Sequence, residues 1–112
     1  MSIQTIKKRY DFFLSHKLGK KKYGKYINLQ LLNRNDNAEA VFFGFTITKK
    51  IGIAVVRNKI RRRLKSIIMS LKKNKKNHFN IGYNYVLIGK SNIINATFKD
   101  LKEDIILSCK NR

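Results

Sequence analysis

Six cationic side chains crowd into one short stretch of this sequence and are its most distinctive chemical feature. Residues 57–65 read RNKIRRRLK, and no Asp or Glu occurs between Val41 and Lys99 to neutralise them. Arginine presents a planar fork of donors that suits bidentate contact with phosphate oxygens, whereas lysine offers a point charge. These residue types at this density favour recognition of phosphate groups.

The total charge agrees with this interpretation. Lys and Arg number 26 against six acidic residues, which gives the 112-residue chain a formal net charge of +20. Self-repulsion on this scale destabilises a compact state unless a polyanion relieves it. Nucleic acid is the leading candidate partner, and an anionic membrane surface is the second. A membrane protein would need bulky apolar side chains beside the basic face, and we expect the core to require all of these.

Catalytic and metal-binding chemistry finds little support in the residue types. Hydrolysis by protein-bound metal ions needs converging carboxylates, which the middle of the chain does not contain. His16 and His78 have no acidic neighbour in sequence that would make either one a general base, and with the single Cys109 they form no zinc ligand set. The acids on one face of the last helical segment are interpreted as its solvated side: Asp100, Glu103 and Asp104. We therefore predict no catalytic residue and no metal ligand in the protein itself.

The same residues bear on the compartment in which the protein works. A single cysteine excludes an internal disulfide and favours a reducing environment. No apolar run approaches the length that spans a bilayer, and the first residues, MSIQTIKKRYDFF, lack the apolar core of a secretory signal. We expect an intracellular, cytoplasmic protein.

An amphipathic helix is predicted to carry the cationic run. From about Val56 to Lys73, apolar residues recur at helical spacing and form one stripe: Val56, Ile60, Leu64, Ile67, Ile68 and Leu71. Polar residues between them share an outward face: Arg57, Asn58, Arg61, Arg62 and Lys65. Like charges spaced i, i+4 cost a few tenths of a kcal/mol per pair in an isolated helix, so helix stability does not explain the pattern.

The remaining elements are predicted from periodicity and turn residues. Helical segments are predicted at 5–18, 56–73 and 95–110, with Gly19 ending the first and Asn95 capping the last. Strands are predicted at 26–32, 41–48 and 83–89, the second of them in the interior of a sheet because its apolar run is continuous. Connections rich in Lys, Gly or Asn are predicted at 20–25, 33–37, 49–55 and 72–80.

These segments fix an element order and a fold class. The order is α-β-β-(β)-α-β-α, with room for one extra short strand. We predict an α+β protein, a two-layer α/β sandwich in which helices cover one sheet. The length suits a single domain of residues 1–112.

The basic helix alone leaves three interpretations open. A charged stripe in an average protein is usually a solvated face, but the missing counter-charges and the net charge of this chain favour binding. A helix that enters a DNA major groove usually carries Asn, Gln or Ser among its basic residues, and only Asn58 is present here. The pattern therefore favours recognition of RNA or of a phosphate backbone.

Residues 49–65, KKIGIAVVRNKIRRRLK, closely resemble the signature of the bacterial ribonuclease P protein subunit. The matching positions keep the family's mutual spacing: Gly52, Ala54, Val55, Arg57, Asn58, Arg61 and Arg62. Lys59 and Lys65 stand where the family has arginine, which keeps the charge but loses the forked geometry. The likeness extends along the chain, since residues 11–19 resemble the family's first helix and its end, and a strand and a helix follow the signature.

This resemblance implies a fold and a function. The family's α/β sandwich places the signature helix in a left-handed β-α-β crossover. In the family, a large RNA with bound Mg²⁺ hydrolyses precursor tRNA to expose the mature 5′ end, while the protein subunit grips the single-stranded 5′ leader and docks on the catalytic RNA. The implied partners are RNase P RNA and precursor tRNA, with neither DNA nor a membrane. The implied cofactor is Mg²⁺, held mainly by the RNA and the substrate.

The resemblance also implies which residues form the sites. The signature residues expected at the RNA interface are Lys49, Lys50, Arg57, Asn58, Lys59, Arg61, Arg62 and Lys65. In the family the leader lies between the first helix and the sheet, where aromatic rings can stack on bases. The matching positions are Phe12, His16 in place of an aromatic residue, and Tyr26 or a neighbour in the first strand. The alternative for Phe12 is a plain core role, and the alternative for the protein is a ribosomal or other structural RNA-binding protein.

Overall fold

Five strands and three α-helices form the fold in the computed structural model, which describes residues 2–36, 38–73 and 78–110. In chain order the elements are β1 Ser2–Thr5, α1 Arg9–Leu18, β2 Lys20–Tyr23, β3 Ile27–Asn33, β4 Ala40–Thr46, α2 Ala54–Lys72, β5 Tyr83–Gly89, a short 3-10 helix Ser91–Asn95, and α3 Phe98–Lys110. The predicted α+β class is confirmed. Within these ranges, no helix combines the length and the apolar character needed to cross a membrane.

The strands that the structure describes form one mixed sheet in the order β1-β4-β5-β3-β2. β5 lies at the centre and β4 lies between β1 and β5, as its continuous apolar run predicts. β4 pairs in parallel with β1 and β5, whereas β3 pairs antiparallel with β5 and β2. α2 connects the parallel strands β4 and β5, and the left-handedness of this crossover stays a prediction.

The main hydrophobic core lies between one face of the sheet and helices α2 and α3. Alternate strand residues point into it, because side chains alternate between the faces of a strand: Ile27, Leu29, Leu31, Val41, Phe43, Tyr85 and Leu87. α2 contributes the predicted stripe, in which Ile60, Leu64, Ile67, Ile68 and Leu71 are buried and Val56 is partly buried. The prediction that this stripe anchors the basic helix is confirmed.

The two edge strands differ from the sequence-based expectation. Residues 20–25 are predicted as a loop, but Lys20–Tyr23 form β2 and pair with β3. Ser2–Thr5 form β1 beside β4, and the first helix begins only at Arg9. An edge strand needs backbone pairing on one side only, and lysine is favoured there because it discourages association between sheet edges. Apolar periodicity therefore does not reveal such strands.

The last helix begins later than predicted. Asn95 ends the 3-10 helix, and Thr97 caps α3 instead. The Asp100 backbone N–H donates to Thr97 Oγ1, and the Thr97 N–H donates back to Asp100 Oδ2, both at 3.1 Å. This reciprocal pair is a capping box. The hydrogen bonds from Thr97 hold the pKa of Asp100 below its ordinary value.

Asp104 is buried, and its interpretation as a solvated residue is wrong. Only 7% of the residue is exposed, and its carboxylate accepts the backbone N–H groups of Lys25, Tyr26 and Ile27 at 2.8, 3.0 and 3.0 Å. The turn between β2 and β3 would otherwise leave these donors unpaired. Asp104 therefore fastens α3 to the start of β3.

Candidate nucleic-acid interface

The basic face of α2 is open to solvent along most of its length. Asn58, Lys59, Arg62 and Lys65 are exposed, and so are Lys49 and Lys50 in the turn before the helix. No cation between residues 57 and 65 pairs with a carboxylate in the part of the chain that the structure describes. Their charge is therefore available to a phosphate backbone.

Two arginines of this helix donate hydrogen bonds to backbone carbonyls outside the helix. Arg57 is half-buried, and its Nε donates to the Gly52 carbonyl at 3.1 Å. Arg61 donates to Asn58 Oδ1 at 2.9 Å and to the Ile47 carbonyl at 3.4 Å. The expectation that Arg61 points simply outward is wrong, because the end of β4 offers its guanidinium a carbonyl. Arg62 does point outward, as expected.

Apolar side chains also lie beside this basic face. Ile53 and Val55 are 71% and 72% exposed, because they precede or fall outside the stripe that packs on the sheet. The expectation that the core requires every bulky apolar residue near the basic face is therefore wrong.

α1 crosses the sheet on the face opposite to α2 and α3. The Phe12 ring lies directly on Gly44 of β4, where an added Cβ atom would overlap with the ring. One turn later, His16 Nδ1 lies 3.2 Å from Gln30 Nε2 of β3. The Gln30 amide donates this hydrogen bond when the His16 ring is neutral with its proton on Nε2. Ser15, on the same side of α1, is fully buried and donates to the Asp11 carbonyl at 3.0 Å.

A row of partly open side chains lies on the sheet beside α1. Strand pairing aligns Thr46 of β4, Ile88 of β5, Asn28 of β3 and Tyr23 of β2 across the sheet. The first three are half-buried and Tyr23 is exposed. Asn28 Oδ1 is buried and accepts no hydrogen bond from any residue that the structure describes. We call this row, with Phe12 and His16 as its wall, the sheet cleft.

The sheet cleft continues to the basic helix. An open groove of about 460 Å³ is lined by Lys7, Arg9, Phe12, Thr46 and Arg61, among others. Phe12 and Thr46 belong to the sheet cleft, whereas Arg61 belongs to α2. Phe12 and Arg61, both singled out in the sequence, therefore line the same groove.

Tyr26 lies elsewhere. Its ring packs against the main core with Lys25 Nζ 5.4 Å from the ring centroid, and its backbone N–H donates to Asp104. None of the described contacts brings it to Phe12 or His16. The aromatic residue of the row is Tyr23, which the prediction of a loop at 20–25 concealed. Three lysines precede Tyr23, so β2 shows no alternation of apolar and polar residues in the sequence.

Not every cation is available for binding. The Arg34 guanidinium donates to Asp36 at 2.9 Å, to the Ala40 and Tyr83 carbonyls at 2.6 and 2.8 Å, and to Asn84 Oδ1 at 3.0 Å. These bonds tie the loop after β3 to the sheet. The side-chain hydrogen bond from Arg34 lowers the pKa of Asp36.

The described carboxylates do not converge on a metal site. Asp36, Asp100 and Asp104 are engaged by Arg34, Thr97 and the turn before β3. Within the described ranges, no three His, Cys, Asp or Glu side chains cluster in a way that would hold a metal ion. This part of the protein does not fit a magnesium site of its own.

Known proteins resemble this chain over nearly its whole length. The family model described as Ribonuclease P matches residues 2–111. A protein of Gluconacetobacter diazotrophicus named "Ribonuclease P protein component" is 37% identical over 100 residues, covering 89% of this chain and 83% of that protein. A protein of the same name from Fusobacterium nucleatum is 34% identical over 113 residues, covering 97% of this chain and 96% of that protein.

Solved structures agree with the fold. The RNase P protein of Staphylococcus aureus superposes with a TM-score of 0.82 at 22% identity, covering 96% of this chain and 93% of its own. The RNase P protein of Thermotoga maritima gives a TM-score of 0.82 at 21% identity, covering 96% of both chains. The family model and the sequence relatives confirm the resemblance carried by residues 49–65. This chain therefore belongs to the ribonuclease P protein family.

Proposed function

We propose that the protein is the protein subunit of a ribonuclease P ribonucleoprotein that removes the 5′ leader of precursor tRNA. In this proposal the sheet cleft binds the single-stranded leader, and the exposed face of α2 contacts the catalytic RNA. The observation that carries the proposal is the continuity of the two surfaces, since Phe12 and Arg61 line one groove. A strand lying in the cleft would have its phosphates beside the basic helix.

The protein residues contribute binding and orientation. Phe12 is half-buried and lines the groove, so it offers part of its ring to a base, which is worth roughly 1–3 kcal/mol. His16, held through Nδ1 by Gln30, would present Nε2–H as a donor to a base or phosphate. Asn28 Oδ1, which has no hydrogen-bond partner among the described residues, would accept a bond from a base amino group, which removes the cost of a buried, unsatisfied acceptor.

The chemical step belongs to the RNA in this proposal. Mg²⁺, held mainly by the catalytic RNA and the substrate, would supply the activated water and stabilise the leaving oxygen. The described carboxylates support this division of labour, since they are dispersed or engaged in structural bonds. The protein would raise the local affinity for substrate and neutralise RNA phosphates with its cations. A cytoplasmic location stays a prediction.

Reconstitution tests the proposal. The protein alone is expected to leave labelled precursor tRNA intact, and addition of a bacterial-type catalytic RNA with Mg²⁺ is expected to restore 5′ processing at low salt. Robust cleavage by RNA-free protein would contradict the proposal. Sequencing of RNA that co-purifies with the protein separates it from the alternative, because a ribosomal protein would carry ribosomal RNA instead.

A further inference from the structure

A second aromatic surface lies on the outer side of α1. Tyr10 and Phe13 are 64% and 52% exposed, and their ring centroids lie 6.3 Å apart with an angle of 28° between the planes. Lys17 Nζ lies 5.7 Å from the centroid of the Phe13 ring. The three residues follow one another at i, i+3 and i+7, so they share one side of the helix. We call them the outer aromatic stripe.

Folding does not account for this stripe. The side of α1 that packs on the sheet is formed by Phe12, Ser15 and His16, and at the helical angle of about 100° per residue the stripe lies well away from it. An exposed pair at i, i+3 stabilises a helix only slightly. Two large rings left in water instead indicate a surface with a partner.

The charge of the chain indicates what kind of partner fits. A second copy of the protein carries the same formal charge of +20 and would be repelled. Single-stranded RNA is attracted by that charge, and its bases stack on aromatic rings without regard to sequence. We propose that the outer aromatic stripe stacks an unpaired base of RNA, with Lys17 beside the adjoining phosphate, as a contact separate from the sheet cleft.

The stripe lies close to the rim of the sheet cleft. Arg9 lines the groove that contains Phe12 and Thr46, and Phe13 follows Arg9 by one turn on the same flank of α1. Leu18, on the opposite flank, lines a different groove together with Leu32 and Tyr83. An RNA strand passing over the flank of Arg9 would therefore meet the stripe. The contact does not depend on what occupies the cleft, and it goes beyond the proposed leader site.

A charge-neutral substitution isolates stacking from electrostatics. In the whole chain, Tyr10→Leu with Phe13→Leu keeps every cation, does not lower the helix propensity and leaves an apolar surface, but removes both π faces. Its affinity for a short oligouridylate, measured by fluorescence anisotropy across a salt series, is expected to fall at least about fivefold. The slope of log affinity against log salt is expected to stay unchanged, because the same number of counterions is released. Leu18→Ala is the matched control, since Leu18 is 65% exposed on the same helix, and it is expected to leave affinity unchanged.

Photocrosslinking provides a second measurement on the unaltered protein. An oligouridylate containing thiouridine is expected to crosslink within residues 9–13 of the wild type, and the crosslink is expected to persist in Phe12→Ala. Equal affinities of the wild type and the double leucine variant, or no crosslink in that segment, would overturn the proposal. So would binding to phosphatidylserine vesicles that survives the leucine substitutions while RNA affinity is unaffected, because apolar docking needs no π face.

Discussion

The two faces of the sheet use the same strands for different purposes. Toward α2 and α3, Leu29, Phe43 and Tyr85 are fully enclosed among apolar neighbours. Toward α1, the adjacent positions are Gln30, which is hydrogen-bonded to His16, and Gly44, on which the Phe12 ring lies. One face is a closed hydrophobic core, whereas the other keeps polar groups and a partly open row.

In the proposed function, this difference separates folding stability from RNA recognition within single strands. Because neighbouring residues of a strand point to opposite faces, a change at one position alters the core while a change at the next alters the sheet cleft. We therefore expect substitutions on the core face to act on folding. Substitutions on the α1 face and on the basic helix are expected to act mainly on RNA.

The largest effect is expected from the core face. Leu64 of α2 is fully buried, and Leu64→Ala is expected to lower the free energy of unfolding by about 2–5 kcal/mol, because it leaves a cavity. Urea unfolding followed by circular dichroism measures this loss. The folded fraction is expected to keep the wild-type salt dependence of RNA binding, since no cation changes. An altered salt slope would show that a substitution in the core also changes how the protein binds RNA.

The next effect concerns the basic helix. Arg61→Ala with Arg62→Ala is expected to weaken binding to the catalytic RNA roughly 10- to 100-fold near ~0.1 M salt, and to reduce the salt slope by about one to two. The helix is expected to remain folded, because Leu64 and the rest of the buried stripe are untouched.

A control with the same loss of charge sharpens this measurement. Lys72→Ala with Lys73→Ala removes two exposed cations from the far end of α2. A smaller loss than for the arginine pair indicates a localised interface. Equal losses would show that only the total charge matters.

The contact between Phe12 and Gly44 can be tested by coupling. Gly44→Ala is expected to destabilise the fold by about 1–3 kcal/mol, because the new methyl group overlaps with the Phe12 ring. In a Phe12→Ala background most of that cost is expected to vanish, so a double-mutant cycle yields a clear interaction energy. Additive effects would mean that the ring does not lie on Gly44.

The smallest effect is expected on α3, away from both proposed RNA-binding surfaces. The pKa of Asp100 is held below its ordinary 3.8 by the bonds from Thr97, so the stability it contributes is present above that pH and is lost as pH falls through the lower folded-state value. Asp100→Asn is expected to be less stable than the wild type at neutral pH, with the difference shrinking on acidification below that range. RNA affinity is expected to stay unchanged. A difference that grows on acidification would contradict the capping box.

Elements with strong periodicity were predictable from the sequence. The spacing of Ile60, Leu64 and Leu71 is a local property of a helix, so the position of α2 follows without knowledge of its partners. Tyr83–Gly89 was predicted with the observed bounds, because a short apolar run between turn residues admits few alternatives. The family and the fold class followed from residues 49–65 and this element order.

Features that depend on distant partners were not predictable. The backbone N–H groups that bind the Asp104 carboxylate lie 77 to 79 residues away in the chain. The local spacing of acids on α3 cannot reveal them, so Asp104 looks like a solvated acid in the sequence. Arg61 turns toward the end of β4 because a carbonyl happens to lie there. Tyr23 lies in the row beside α1, where Tyr26 or a neighbour was expected. Its position depends on the pairing of β2 with β3, and this edge strand leaves almost no periodic signal in the sequence.

Phe12→Ala in the holoenzyme tests whether the sheet cleft holds the leader. The measurement compares holoenzyme affinity for precursor tRNA and for mature tRNA, together with the melting temperature of the protein. We expect a loss of about 1–3 kcal/mol for precursor tRNA, which is the value of one stacked base, and almost no change for mature tRNA, which has no leader. Equal losses for both tRNA forms, in proportion to a lowered melting temperature, would show that Phe12 is a core residue and that it does not stack on the leader.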